Sequence, residues 1–208
     1  MFSTSRNPNN PWPPDMVIRV ENTSDELLQL LWLRERYELP TSREDPPPLR
    51  RSTGTAALEH TVAVDREQFA AVWPALWEAQ LVHQATPRDR AISRFLNEQL
   101  GEDERALLLA ELIGPTWRDQ FPEAILTPEY SEWLHQIIAE VRRERSDRER
   151  TALEALVPAW RSGLTTIIVV PCKGDATRSI GDHALLVTDE TRNDPARYER
   201  ALQAFAAG

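Results

Sequence analysis

The residues best equipped for chemistry lie within twelve consecutive positions near the C-terminus, from Cys172 to His183, reading CKGDATRSIGDH. This run holds the chain's single cysteine, Cys172, and its single lysine, Lys173. A thiol close to an imidazole is the raw material of a thiolate nucleophile, and a neighbouring Lys173 or Arg178 would lower the thiol pKa. The same two cations, with the amides around Gly174 and Gly181, could instead cradle a phosphate or carboxylate. Opposing features are equally visible. Cys172 follows an apolar run, and free cysteine is among the most buried residue types. Asp175 and Asp182 flank Arg178 and can neutralise it. The run matches neither G-x-x-x-x-G-K-[ST] nor G-x-G-x-x-G, and the chain contains no G-x-S-x-G turn. Cys172, Lys173, Asp175, Arg178 and His183 are therefore ligand-binding candidates, and no residue is assigned a catalytic role. An internally hydrogen-bonded loop is the competing expectation.

Metal chemistry finds little support. The four histidines, His60, His83, His135 and His183, are scattered, and none forms an HxH or HxxxH pair. Glu132-x-x-His135 is half of a di-iron motif, which needs a second such pair and two further glutamates. At this composition about 0.4 such pairs are expected by chance, so one carries no information. No metal and no other cofactor is expected. One cysteine excludes an intramolecular disulfide and a cysteine-cluster zinc site.

Charge narrows the partners. The net charge is −9, and residues 56–126 carry 12 acidic against 6 basic side chains. No large segment is net basic, which disfavours nucleic acid as a partner because phosphate binding needs a basic face. Twenty-three arginines against one lysine, with abundant alanine, fit high-GC bacterial coding. No apolar run approaches the roughly 20 residues of a membrane span, and Met1–Pro14 does not read as a secretory signal. A cytoplasmic protein without a membrane partner is expected.

The elements that must hold the 172–183 run are mostly helical. Residues 1–14 hold four prolines and three asparagines and read as an extended or disordered arm, with Trp12 as an aromatic able to dock. Strands are expected near 16–21, 57–64, 164–171 and 183–188; LTTIIVVP, at 164–171, is continuous enough to be buried on both faces. Thr23 and Glu26 read as a capping box for a helix over 24–38 that is apolar almost all round. The Pro-rich segment 40–54 reads as a stiff spacer. Asp65 caps a helix bearing Phe69, Trp73, Leu76 and Trp77, which Pro74 must kink or restart. These two strand–cap–helix units form a weak pseudo-repeat. Thr86-Pro87 and Thr127-Pro128 mark further helix starts; Tyr130, Trp133, Leu134, Ile137, Ile138 and Val141 give the second of these helices a clean stripe. Asp194-Pro195 caps the last helix, with Tyr198, Leu202 and Phe205 inward.

The fold class is therefore α+β: a small, mostly buried sheet packed with helices, in one domain over 15–208 with a helical excursion over 66–162. Three functions fit. The leading one is a non-catalytic protein-binding or regulatory module. The alternatives are a small-molecule enzyme or anion-binding protein using the 172–183 loop, and a structural subunit whose N-terminal arm orders against a neighbour. An enzyme would bring Lys173, Asp175, Arg178 and His183 together on a concave pocket; an adaptor would leave them apart. Trp73 and Trp77, if exposed, would instead form an aromatic groove for a peptide.

Overall fold

The computed structural model of the chain describes residues 12–22, 24–42, 45–51, 65–122, 125–143 and 148–208. The expected strand at 57–64 lies outside them, as do Thr23 and most of the N-terminal arm. Four strands form one sheet: β1 (Arg19–Glu21), β2 (Thr166–Val170), β3 (Thr177–Ile180) and β4 (Ala184–Thr188), in the order β1-β2-β4-β3. β1 and β4 run parallel to β2, and β3 is antiparallel to β4 with Arg178 opposite Leu186. Among the described residues the class is α+β, as the composition and patterning imply.

The sheet is buried because its two central strands are apolar at successive positions. Every residue of β2 and β4 is buried, and alternate side chains leave on opposite faces. Ile168, Val170, Ala184 and Leu186 join a core with α1 (Asp25–Arg36), α2 (Arg66–Ala85) and α5 (Pro128–Arg143). Ile167, Val169, Leu185 and Val187 join a second core with α7 (Leu153–Arg161) and α9 (Pro195–Ala207). Helices thus cover both faces, the arrangement parallel strands require. Between these layers in sequence lie α3 (Asp89–Asn97) and α4 (Glu102–Ile113), α6 (Arg148–Thr151) and α8 (Asp189–Asn193).

Several local expectations change. β3 lies inside the stretch read as one loop. It is an edge strand with only Ile180 buried, so it lacks the apolar alternation that betrays a half-buried strand. Its bounds were nevertheless marked by the turn dipeptides Gly174-Asp175 and Gly181-Asp182; both glycines have positive φ, +77° and +55°. α2 runs unbroken through Pro74 over 20 residues, and Asp65 caps it by accepting from the Gln68 amide at 3.0 Å. Glu26 takes Arg118 at 2.8 Å, and its expected contact with Thr23 lies outside the described residues. Thr86 closes α2, its hydroxyl donating to the Val82 carbonyl, and does not cap α3. Trp12 does dock, on the second core, and donates to the Met16 carbonyl at 2.8 Å. Asp194 caps α9 by accepting from the Ala196 and Arg197 amides.

The Pro-rich segment is more than a spacer over its described part. Arg34 on α1, 1% exposed, donates to the Pro46 and Pro47 carbonyls at 2.5 and 2.8 Å. Leu49 bridges to Cys172, the Arg50 amide donates to the Pro171 carbonyl, and the Lys173 amide donates to the Pro48 carbonyl. Residues 45–50 are thus laid across the C-terminal ends of the parallel strands. No helix among the described residues is long and apolar enough to cross a membrane.

Candidate functional site

The five candidate residues start from one short stretch and end far apart. Cys172 follows β2 into the larger core and is fully buried; burial pushes its thiol up to about 12 despite the partial offset by Arg34. At neutral pH it is a neutral thiol with the packing role of a small hydrophobe. Lys173 is exposed. Asp175 turns to the second helical layer, accepting from the Thr191 hydroxyl at 3.0 Å, with Arg197 and Arg200 at 3.9 and 3.8 Å. Arg178 stands on β3 and holds Glu78 of α2 through two contacts of 2.6 and 2.7 Å.

His183 lies at the opposite end of the sheet, in the Gly181–His183 turn. The five residues of β4 separate it from the Cys172–Asp175 end by roughly 16 Å at about 3.3 Å per residue. Its imidazole therefore cannot serve the Cys172 thiol. The anion cradle is likewise filled by the protein itself. The Gly174 amide donates to the Glu190 carboxylate at 2.7 Å and the Ala176 amide to the Thr191 hydroxyl at 3.2 Å, while the Lys173 amide is taken by Pro48.

Of the five, Arg178 lines a cavity. A cleft of about 660 Å³ opens between α2, the residues Ser42 and Asp45–Pro47, and the β3–β4 side of the sheet. Its floor includes Val170 and Thr188, the last residues of two parallel strands, which is where ligands gather in parallel sheets. Its walls are Pro46, Pro47 and Pro74, with Trp77 and Leu186 further in, and Asp45, Glu78 and Arg178 bring charge. Sequence reasoning found Arg178 but missed Asp45 and Glu78. They come from two other segments, and no local pattern links them. Trp77 stacks on Trp73 with centroids 5.6 Å apart, and both are 2% exposed, so the two indoles are core and offer no aromatic groove. Among the described residues, no group of three or more His, Cys, Asp and Glu side chains could hold a metal ion; Glu132 and His135 are exposed on α5.

A second feature lies outside the sheet. α3 and α4 form an antiparallel helical hairpin: Arg94 meets Glu104, the Arg105 guanidinium lies 4.8 Å over the Phe95 ring, and Arg88 reaches the Leu112 carbonyl at 2.9 Å. Ala91 and Leu108 point inward and are buried. In an antiparallel pair of right-handed helices, the residues that follow the inward positions of both helices emerge on the same side. Those residues are Ile92 and Leu96 on α3, and Leu109 and Ile113 on α4, and they are 44%, 72%, 39% and 50% exposed.

No family model, no curated protein and no solved structure matches this chain.

Proposed function

We propose that the protein is a non-catalytic binding module whose α3–α4 hairpin receives a basic amphipathic helix of a partner protein. The observation that carries this reading is the exposed apolar face formed by Ile92, Leu96, Leu109 and Ile113. Exposed apolar residues scattered singly are ordinary, whereas several on one face mark an interaction site. Their pairing at i and i+4 on two adjacent helices forms a groove suited to a third helix.

Charge selects the occupant. Residues 89–113 carry six acidic and three basic side chains, with Glu102, Asp103, Glu104 and Glu111 exposed on α4. A second copy would bring the same net-acidic hairpin against itself, and a basic partner helix would complement it. The separation of Lys173, Asp175, Arg178 and His183 also favours a binding role over an enzyme that uses them together.

The test uses the full chain and two synthetic helical peptides with leucines at i and i+4. One carries lysines on its remaining faces and the other carries glutamates. The lysine peptide is expected to bind at least about tenfold more tightly, a difference of about 1.4 kcal/mol. Replacing Leu96 and Ile113 together by serine should remove that binding while the far-ultraviolet dichroism stays unchanged, since both are exposed. Equal binding of the two peptides, or unchanged binding by the double variant, overturns the proposal. So does a dimer, seen by sedimentation, that the same variant dissociates.

A further inference from the structure

We propose that the cleft beside β3 is a binding site for an organic cation, an ammonium or guanidinium group carried on an apolar body. The inference is independent of the partner-helix reading, because none of its residues belongs to α3 or α4. It starts from volume: about 660 Å³ falls within the range of pockets that enclose small molecules. The lining is mixed, as such pockets require, with Pro46, Pro47, Pro74, Val170 and Leu186 supplying apolar surface. Trp77 closes the inner wall.

The charges decide the ligand. The described lining has two carboxylates, Asp45 and Glu78, and one guanidinium, Arg178. Arg178 is already matched by both oxygens of Glu78, so an incoming anion would have to compete with a carboxylate in place. Asp45 lines the cleft and accepts from the Ser42 amide at 2.6 Å, so the described lining has one more acid than base. A cation gains from Asp45 directly and from Glu78 by sharing. The Glu78–Arg178 pair is 47% and 41% exposed, and ion pairs so accessible to water hold weakly, so Glu78 can turn to a ligand at little cost. The protein's overall charge of −9 raises the local concentration of cations in the same sense.

The binding test compares three molecules of one shape: phenethylamine, phenethyl alcohol and phenylacetate, titrated into the full chain by calorimetry. Phenethylamine, protonated at neutral pH, should bind at least about tenfold more tightly than the alcohol, with phenylacetate weakest. Glu78→Gln keeps the shape, removes one carboxylate and releases Arg178. It should cut amine affinity severalfold and raise phenylacetate affinity, so the order moves toward reversal. Asp45→Asn should weaken the amine without strengthening phenylacetate. Dichroism and the urea midpoint confirm that each variant is folded. Three results overturn the proposal: no binding of any of the three, alcohol or phenylacetate binding wild type as tightly as the amine, or an amine preference unchanged in both variants. The double serine variant of the hairpin should leave all three affinities unaltered, which separates failure here from failure of the partner-helix reading.

Discussion

Single residues in this protein show how far local chemistry depends on three-dimensional neighbours. His83 stands on a helix that otherwise reads as core, and its ring is packed against Gly114. That glycine has φ +76°, and a Cβ there would lie 2.6 Å from the imidazole. The ring Nε2 sits 2.7 Å from Arg88 Nη1 and 3.1 Å from the Leu112 carbonyl. Nε2 thus lies between a guanidinium that can only donate and a carbonyl that can only accept. Burial holds the His83 pKa below its ordinary value, with Arg88 adding to the effect and the Leu112 carbonyl and Glu111 opposing it. The unfolded chain therefore takes up the proton first as pH falls. This stabilises the unfolded state from about pH 6.5 downward, and the loss saturates once the folded ring also protonates. His83→Gln should flatten that part of the stability profile. Urea midpoints between about pH 7.5 and about pH 5 check it, and a slope identical to wild type would show that His83 does not govern it. Cys172 was more legible: a cysteine directly after an apolar β-branched run is expected to be buried, and it is.

At the scale of elements, the least visible device is the clasp between α1 and the proline segment. The all-round apolar character of α1 correctly implies burial on several sides, but nothing in its spacing distinguishes Arg34 from a solvent-facing arginine. Its guanidinium is buried over the Trp73 ring, 5.3 Å from the centroid, and fixes the carbonyls that form one wall of the cleft. Truncating it strands two buried acceptors and opens a cavity. Arg34→Ala should therefore cost roughly 2–4 kcal/mol, read from urea unfolding. Arg34→Lys should recover little of that loss, because a point ammonium cannot serve two carbonyls as a planar fork does. A loss below about 0.5 kcal/mol, the level of ordinary surface changes, would mean that the clasp is not structural. β3 escaped the sequence for a related reason. An edge strand needs one buried residue and a paired backbone, and hydrogen bonding to β4 leaves no trace in side-chain pattern.

For the whole molecule, the two cores meet across the sheet, while the α3–α4 hairpin packs mainly on itself. Stability is then unevenly distributed. Amide hydrogen exchange should be slowest in β2 and β4, which are buried on both faces, and fastest among the helices in α3 and α4. Slower exchange in the hairpin than in β2 would contradict this ranking and mean that the hairpin is covered by something further. The sequence by itself determined the class, the two central strands, the Asp65 and Asp194 caps and the inward stripes of α2, α5 and α9. Each is a matter of local periodicity or of a side chain bonding a backbone three residues away, so neighbours in sequence suffice. Only the tertiary structure decided that Cys172 and His183 lie at opposite ends of a strand, that Arg178 meets Glu78 across 100 positions, and that the proline segment closes a cleft. Those outcomes depend on strand order and on which helix packs where, and they are fixed by long-range burial that no short window of residues encodes.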